Sequence, residues 1–408
     1  MSARDERRTA DLLVIGAGPA GTAAAIVAAR CGRSVVVIDK ATFPRDKCCG
    51  DGLTTLALRE LVPLGLRPTM VPSWQNVEAA WLRSPSGREV CLPMPSGGVF
   101  AATTPRAELD AALVDLAREA GADVREAVSV RTIEEGDDRL CVGVDTAEGP
   151  DTIQARHVIA ADGMWSPTRR LLEVGESGYR GEWHAARQYA RHVTGPAAQR
   201  LYVWFEADLL PGYAWSFPLP GGRVNLGFGV PRDDVRHGAE LAALWTSLWS
   251  RPHIAAALGE TVELEGRSTA WPIPAGIDRA VLSHGRVLFV GDAARATDVM
   301  TGEGIGQAVL TGRLAAEAVC NGGDHDAVAR HYERAVRREL FADHRMSAVL
   351  GAMLSRPLLA RGAVRLAGST AWTRRNFVRW MFEDEPRAVV FTPRRWHRRF
   401  LRRPAPVL

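Results

Sequence analysis

The chain has 408 residues, 46% hydrophobic and 24% charged, with a formal net charge of +4 at pH 7. That length accommodates two or three domains and a large core, the composition excludes general disorder, and so small a charge gives no footing for nucleic-acid binding. Lys40 and Lys47 are the only lysines, so the arginine excess reads as a coding bias without functional weight of its own.

In chain order, Leu12 to Ile15 reads as an apolar strand running into Gly16-Ala17-Gly18-Pro19-Ala20-Gly21, Pro19 to Arg30 as a helix, and Ser34 to Ile38 as a second strand that delivers Asp39. This is the βαβ dinucleotide fingerprint in its proper context. Gly16 permits the tight turn, Gly18 lets backbone approach a pyrophosphate, and Gly21 allows close helix–strand packing, while Asp39 accepts from a ribose hydroxyl. The uncharged run Leu12 to Ala29 superficially matches a signal peptide or membrane span, but Pro19 and the glycines inside it favour the nucleotide fold, and no other uncharged stretch is long enough to span. Leu53 to Leu66 has helical spacing; Trp74 to Phe100, broken by prolines and Ser-Gly turns, reads as strands of another sheet. A helix over Thr104 to Ala120 is expected with Thr104 as cap and Pro105 at its first position. Short strands over 123–160 return into Asp162-Gly163.

From about 175 to 275 the pattern changes to alternating strands, Leu201 to Glu206, Tyr213 to Leu219 and Arg223 to Val230. Arg286 to Val290 then reads as a buried strand entering Gly291-Asp292, and Gly304 to Ala318 as a helix whose N-terminus points back at the same ligand. Helices follow over Asp324 to Leu340, Met346 to Ala367 and Thr370 to Glu383. The tail sets Arg394, Arg395, Arg398, Arg399, Arg402 and Arg403 around Trp396, Phe400 and Leu401, a basic amphipathic end suited to an anionic membrane surface and equally to solvent or a partner. The six cysteines show no metal-ligand spacing, so free thiols in a reducing, cytoplasmic setting and no metal site are expected.

The segments Gly16 to Gly21, Phe43-Pro44-Arg45-Asp46-Lys47-Cys48-Cys49-Gly50-Asp51-Gly52-Leu53, Tyr213-Ala214-Trp215-Ser216-Phe217-Pro218 and Gly291 to Ile305 together resemble the geranylgeranyl reductase family, within the flavoprotein class shaped like p-hydroxybenzoate hydroxylase. The match covers roughly 10–320. It implies an α/β (α+β overall) architecture: a Rossmann-like FAD-binding domain over 1–75, 101–174 and 276–335, an antiparallel β-sheet substrate domain over 76–100 and 175–275, and a C-terminal helical region over 336–408. It also implies FAD as cofactor, NADPH or NADH as a transient donor, and an apolar or lipid substrate whose carbon–carbon double bonds are reduced; access to a lipid substrate would favour peripheral contact of the basic tail with the inner membrane surface.

The expected FAD contacts are Gly16, Gly18, Pro19, Ala20, Gly21, Asp39, Lys40, Arg45, Cys49, Gly50, Asp51, Gly52, Arg106, Asp162, Gly163, Gly291, Asp292, Gly302, Glu303, Gly304 and Ile305. Alternation along one strand sends Tyr213, Trp215 and Phe217 to a common face, an apolar slot for an extended hydrocarbon, although an ordinary aromatic core strand would share the pattern. Asp298 joins this expected substrate pocket, and Cys49, Tyr213 and Trp215 are the candidates for catalysis. Three positions depart from the family: Cys48 where proline is frequent, Arg295 where glycine is common, and Asp298-Val299 where Asn-Pro is frequent. The new carboxylate and guanidinium either bind a polar substrate group or pair with each other. Two other readings use the same residues: an oxygen-dependent hydroxylase, epoxidase or halogenase of a secondary metabolite, and a non-redox flavin-containing cyclase or binding protein.

Overall fold

The computed structural model describes residues 9–232, 238–388, 392 and 407–408. The basic tail from Arg394 to Arg403 lies outside them. Three sheets organise the chain. In the largest, the strand Thr9–Ile15, apolar from Leu12 onward, runs parallel between Val35–Ile38, with Leu12 opposite Val35, and Gly149–Ala160, with Leu12 opposite His157. Asp123–Arg125 extends the sheet on one side and Val287–Phe289 on the other, both parallel. A strand buried on both faces needs helices above and below it, which is why the sequence reads there as unbroken Val, Ile and Leu. Pro19–Arg30 covers it, and Ile305–Asn321 lies directly against that helix. Gly312 makes this contact close, since a Cβ there would stand 2.0 Å from the Ala20 carbonyl oxygen, while Gly21 seats the first helix on its own turn, where a Cβ would stand 1.8 Å from the Gly16 carbonyl oxygen.

The second sheet has seven strands in the order Glu263–Ile273, Trp183–Arg191, Arg223–Pro231, Tyr213–Leu219, Leu201–Trp204, Ala79–Arg83 and Glu89–Pro93. It is antiparallel except where Leu201–Trp204 pairs with Ala79–Arg83. Alternation divides its side chains. Tyr202, Trp204, Ala214 and Phe228 pack with Leu248 and Ile254 of two helices, Gly238–Trp249 and Pro252–Leu258, for which the sequence carried no expectation. Trp215 and Phe217 take the opposite face. A small third sheet joins Gly52–Leu53, Ala102–Thr103 and Gln75–Asn76.

Several expected elements shift. The helix expected from Leu53 spans Thr55–Leu64; Thr54 accepts from the Ala57 amide (3.3 Å), and Gly65 ends it in the left-handed region at φ 107°. Thr104 does not cap the next helix. Its amide donates to the Asp51 carbonyl (2.9 Å), continuing the strand Ala102–Thr103, so Pro105 takes the cap position and the helix runs Arg106–Glu119. In the C-terminal region Asp324 caps His325–Val336, one wide turn over Arg337–Phe341 leads into Ala342–Leu354, and the chain breaks at Arg356 before Pro357–Ala367, because Pro357 lacks the amide a continuous helix needs. Thr370 and Thr373 form a reciprocal cap on Ala371–Met381. No helix among the described residues is long and apolar enough to cross a membrane.

Candidate active site

A cavity of about 710 Å³ opens where the strand ends of the first sheet meet one face of the second. Three loops of the first sheet form its floor. Gly16, Gly18, Pro19 and Ala20 come from the turn after the first strand, Asp39 and Lys40 from the end of the second, and Asp162 and Gly163 from the end of the long return strand. Asp39 accepts from the Ala17 amide (2.7 Å) and the Ala41 amide (2.8 Å), which pins the glycine turn to the neighbouring strand. Arg45 and Arg106 also line the cavity and converge on Asp110 at 2.8 Å each. The facing wall carries Tyr213, Trp215 and Phe217 with Arg187 and Trp271.

The residues present fit a dinucleotide. Two helices begin at this cavity, at Gly18 and at Gly304, and no side chain caps either one. Free amides at a helix N-terminus suit a pyrophosphate. A Cβ on Gly18 would have only the Arg45 guanidinium, 3.6 Å away, within contact range, so the glycine holds open a cradle beside a cation. Lys47, its ammonium 3.7 Å over the Trp271 ring and 4.0 Å from Asp292, supplies another cation, with its pKa lowered by burial. Gly291, Asp292, Gly302, Glu303, Gly304 and Ile305 complete the far end.

The Cys-Gly-Asp-Gly turn closes one side. A Cβ on Gly50 would lie 3.4 Å from the Phe217 ring, and one on Gly52 3.1 Å from Phe217 and 3.8 Å from Glu303 Oε1. Glycine at both positions therefore lets the turn pack closely against the aromatic wall beside the Glu303 carboxyl. Asp51, expected to face the cofactor, instead lies fully buried beneath the turn at φ 65°. Its carboxylate accepts from the Tyr189 hydroxyl (2.6 Å), the Asn225 amide (2.8 Å) and the Arg106 backbone amide (3.3 Å), while burial pushes its pKa up to about 6. It anchors the turn to the second sheet. Gly21 likewise stays out of the cavity, packed on Gly16.

Asp298 and Arg295 do neither of the things expected of them. Arg295, in the left-handed region at φ 54°, stacks on Tyr179 (3.6 Å) and pairs with Glu176 (3.2 Å). Asp298 is buried away from the cavity. One oxygen accepts from the Met300 and Thr301 amides (3.1 and 2.8 Å); the other accepts from Ser347 (2.7 Å) and faces Arg387 (3.3 Å). Burial opposes its charge, but Arg387, Ser347 and Thr301 together hold its pKa below the ordinary carboxylate value.

The catalytic candidates are also constrained. Burial raises the Cys49 thiol to about 11 and Cys48 to about 12, so neither is a thiolate at neutral pH. Tyr213, its pKa raised by burial, donates its hydroxyl to the Thr301 carbonyl, and Trp215 donates its indole N–H to Asn225 (3.1 Å). Glu303 differs. Its carboxyl reaches the cavity wall, and burial, with Glu383 and Asp298 nearby, pushes its pKa up to about 8 against the pull of Arg387. Sequence reasoning chose Glu303 as a flavin contact and missed Arg187, Tyr189, Asn225, Glu383 and Arg387. Arg187 and Tyr189 alternate on one strand and offered a faint signal; Glu383 and Arg387 offered none.

The chain is similar to known flavoproteins. A model described as FAD binding domain matches residues 9–316. A menaquinone reductase of Mycobacterium tuberculosis is 35% identical over 332 residues, 76% of each chain. Digeranylgeranylglycerophospholipid reductase 2 of Methanopyrus kandleri is 30% identical over 320 residues, 78% of each. The crystal structure of a geranylgeranyl bacteriochlorophyll reductase-like protein from Thermoplasma acidophilum superposes with a TM-score of 0.78 at 21% identity, covering 95% of this chain and all of that one, a likeness of fold. With the glycine turn, the two uncapped helix starts and the shared cavity in place, the chain belongs to the FAD binding domain family as an FAD-dependent oxidoreductase.

Proposed function

We propose that this chain reduces carbon–carbon double bonds in an isoprenoid chain, with NADPH or NADH as reductant. The observation that carries the reading is the aromatic wall of Tyr213, Trp215 and Phe217, which lines the same cavity as the dinucleotide-binding turns and Glu303. The relatives at 35% and 30% identity support it, since both are named reductases and both named molecules carry long isoprenoid chains.

In this reading Gly16, Gly18, Arg45, Asp39 and the start of Pro19–Arg30 hold the pyrophosphate and ribose end of FAD, and Asp292 with the Gly302–Ile305 turn holds the flavin end. Reduced FAD, when bound, supplies hydride. The protein's own residues do the rest. Trp215 and Phe217 line the cavity wall, pack on the isoprenoid chain and exclude water from it. Asp51, with Tyr189 and Asn225, fixes that turn. Glu303, protonated below about pH 8, holds the proton that the second alkene carbon needs. The Asp298 clamp on the Met300 and Thr301 amides keeps the Glu303 turn in place.

The test is anaerobic incubation of the reduced holoenzyme with a geranylgeranyl lipid, followed by mass spectrometry. Gain of two hydrogens per bond is expected. Product formed only in air and carrying labelled oxygen would reassign the chain to the oxygenase reading, and turnover indifferent to flavin redox state would reassign it to the non-redox one.

A further inference from the structure

We propose that the outward face of the three helices Ala342–Leu354, Pro357–Ala367 and Ala371–Met381 is a docking surface for an anionic lipid bilayer. Eleven large hydrophobic side chains are exposed among the described residues, and six of them fall between 349 and 372. Leu358 is 77% exposed, Leu366 67% and Trp372 65%. Scattered apolar exposure is ordinary on a soluble surface; concentration in one short stretch is not.

Helical spacing puts these groups on common faces. On Pro357–Ala367 the exposed residues Leu358, Arg361 and Arg365 follow one another at three- and four-residue steps, with exposed Leu366 beside Arg365, while Ala360, Val364 and Ala367 are buried. The preceding helix repeats the arrangement with Arg345, Val349 and Met353. A surface helix covering a core normally turns a polar face outward. Here the outward face combines large apolar residues with arginine, the composition of a helix lying in a headgroup layer.

Charge selects the occupant. Residues 345–375 hold six arginines and neither aspartate nor glutamate. A second copy related by a two-fold axis would set this patch against itself and oppose like charges, whereas an anionic bilayer neutralises the arginines and buries the leucines together. The surface is distinct from the basic tail. Its inner side reaches the aromatic wall of the cavity: Val364 and Val378 belong to the same apolar cluster as Trp215 and Phe217. That docking would serve substrate delivery rests on the proposed function; the docking itself does not.

The experiment uses the full-length holoenzyme sedimented with phosphatidylcholine vesicles, with and without phosphatidylglycerol. Binding to the anionic vesicles is expected, with a loss of about tenfold or more for Leu358→Asp/Leu366→Asp and for Arg361→Glu/Arg365→Glu, and none for Val281→Asp, an exposed apolar position elsewhere. Quenching by brominated lipid should fall in Trp372→Phe, a readout that does not depend on how the double variants fold. Absence of binding by the parent, equal binding by the variants, or self-association that the variants abolish would overturn the proposal. Reduction of a detergent-dispersed isoprenoid should persist in all variants; its absence in the parent would instead sink the functional reading and leave the docking result standing.

Discussion

Glu303 shows how a residue's chemistry is set by neighbours far away in sequence. Its carboxyl carries no side-chain partner of its own, and burial together with Glu383 and Asp298 makes ionisation costly, so it stays protonated up to about pH 8. Because only the protonated form donates, kcat/KM should fall as pH rises through about 8. Glu303→Gln should remove that alkaline limb and lower kcat by about 10²- to 10⁴-fold, with flavin content unchanged. The same shift has a sign in stability. The folded state binds this proton more tightly than the unfolded chain, with a reference value of 4.5, so the stability it contributes is fully present below 4.5 and lost as pH rises through about 8. The fall in Tm over that interval should therefore shrink in Glu303→Gln, measured by differential scanning calorimetry. The sequence marked Glu303 through its Gly-Glu-Gly setting but could not reveal its proton, since Glu383 arrives from a segment 80 residues on. Cys49, Tyr213 and Trp215 drew attention as reactive residue types, yet each is held by burial or an existing hydrogen bond.

Elements were legible wherever two local signals coincided. The first βαβ unit joins an unbroken apolar strand to glycines at fixed steps, and the aromatic strand Tyr213–Leu219 alternates cleanly because only one of its faces meets the cavity. Glu263–Ile273 shows why the rest was not. It is an edge strand, largely exposed, with Glu263, Glu265, Arg267 and Thr269 along one face, only small residues and one leucine opposite them, and a register shift against Trp183–Arg191, so no apolar period of two survives in its sequence. The helices over 238–258 sit outside the sheet as its cover and interrupt a region whose neighbours all read as strands. Two predictions belong here. Gly52→Val would put branched carbon against Phe217 and the Glu303 carboxyl, so kcat/KM for a long isoprenoid should fall at least about tenfold while flavin absorbance is retained. Gly21→Val would drive a side chain into the Gly16 carbonyl at the base of the cofactor turn. It should lose flavin as well as about 1–3 kcal/mol or more of stability, seen in urea unfolding and in the absorbance of the purified protein.

At the scale of the molecule, the C-terminal helices are tied to the flavin turn through one buried cation. Arg387 faces Asp298 at 3.3 Å and Glu383 at 3.5 Å, and Glu383 in turn accepts from Gln307 (2.7 Å) and Thr54 (3.0 Å), so three distant segments share a single charge network. Removing the cation leaves buried carboxyls unpaired, a loss of about 3–5 kcal/mol where such a pair is broken from one side. Arg387→Met should thus unfold at markedly lower denaturant. It should also raise the Glu303 pKa, because Arg387 is the neighbour that pulls it down, and so move the alkaline limb of the pH–rate profile upward. Arg387→Met/Glu383→Gln removes a carboxyl along with its partner and should recover part of both effects, in stability and in the position of the limb. If stability fell in the single variant while the limb stayed where it was, the C-terminal region would be a brace for the turn and nothing more. Movement of both together would make it the part of the fold that sets the protonation of the reaction centre.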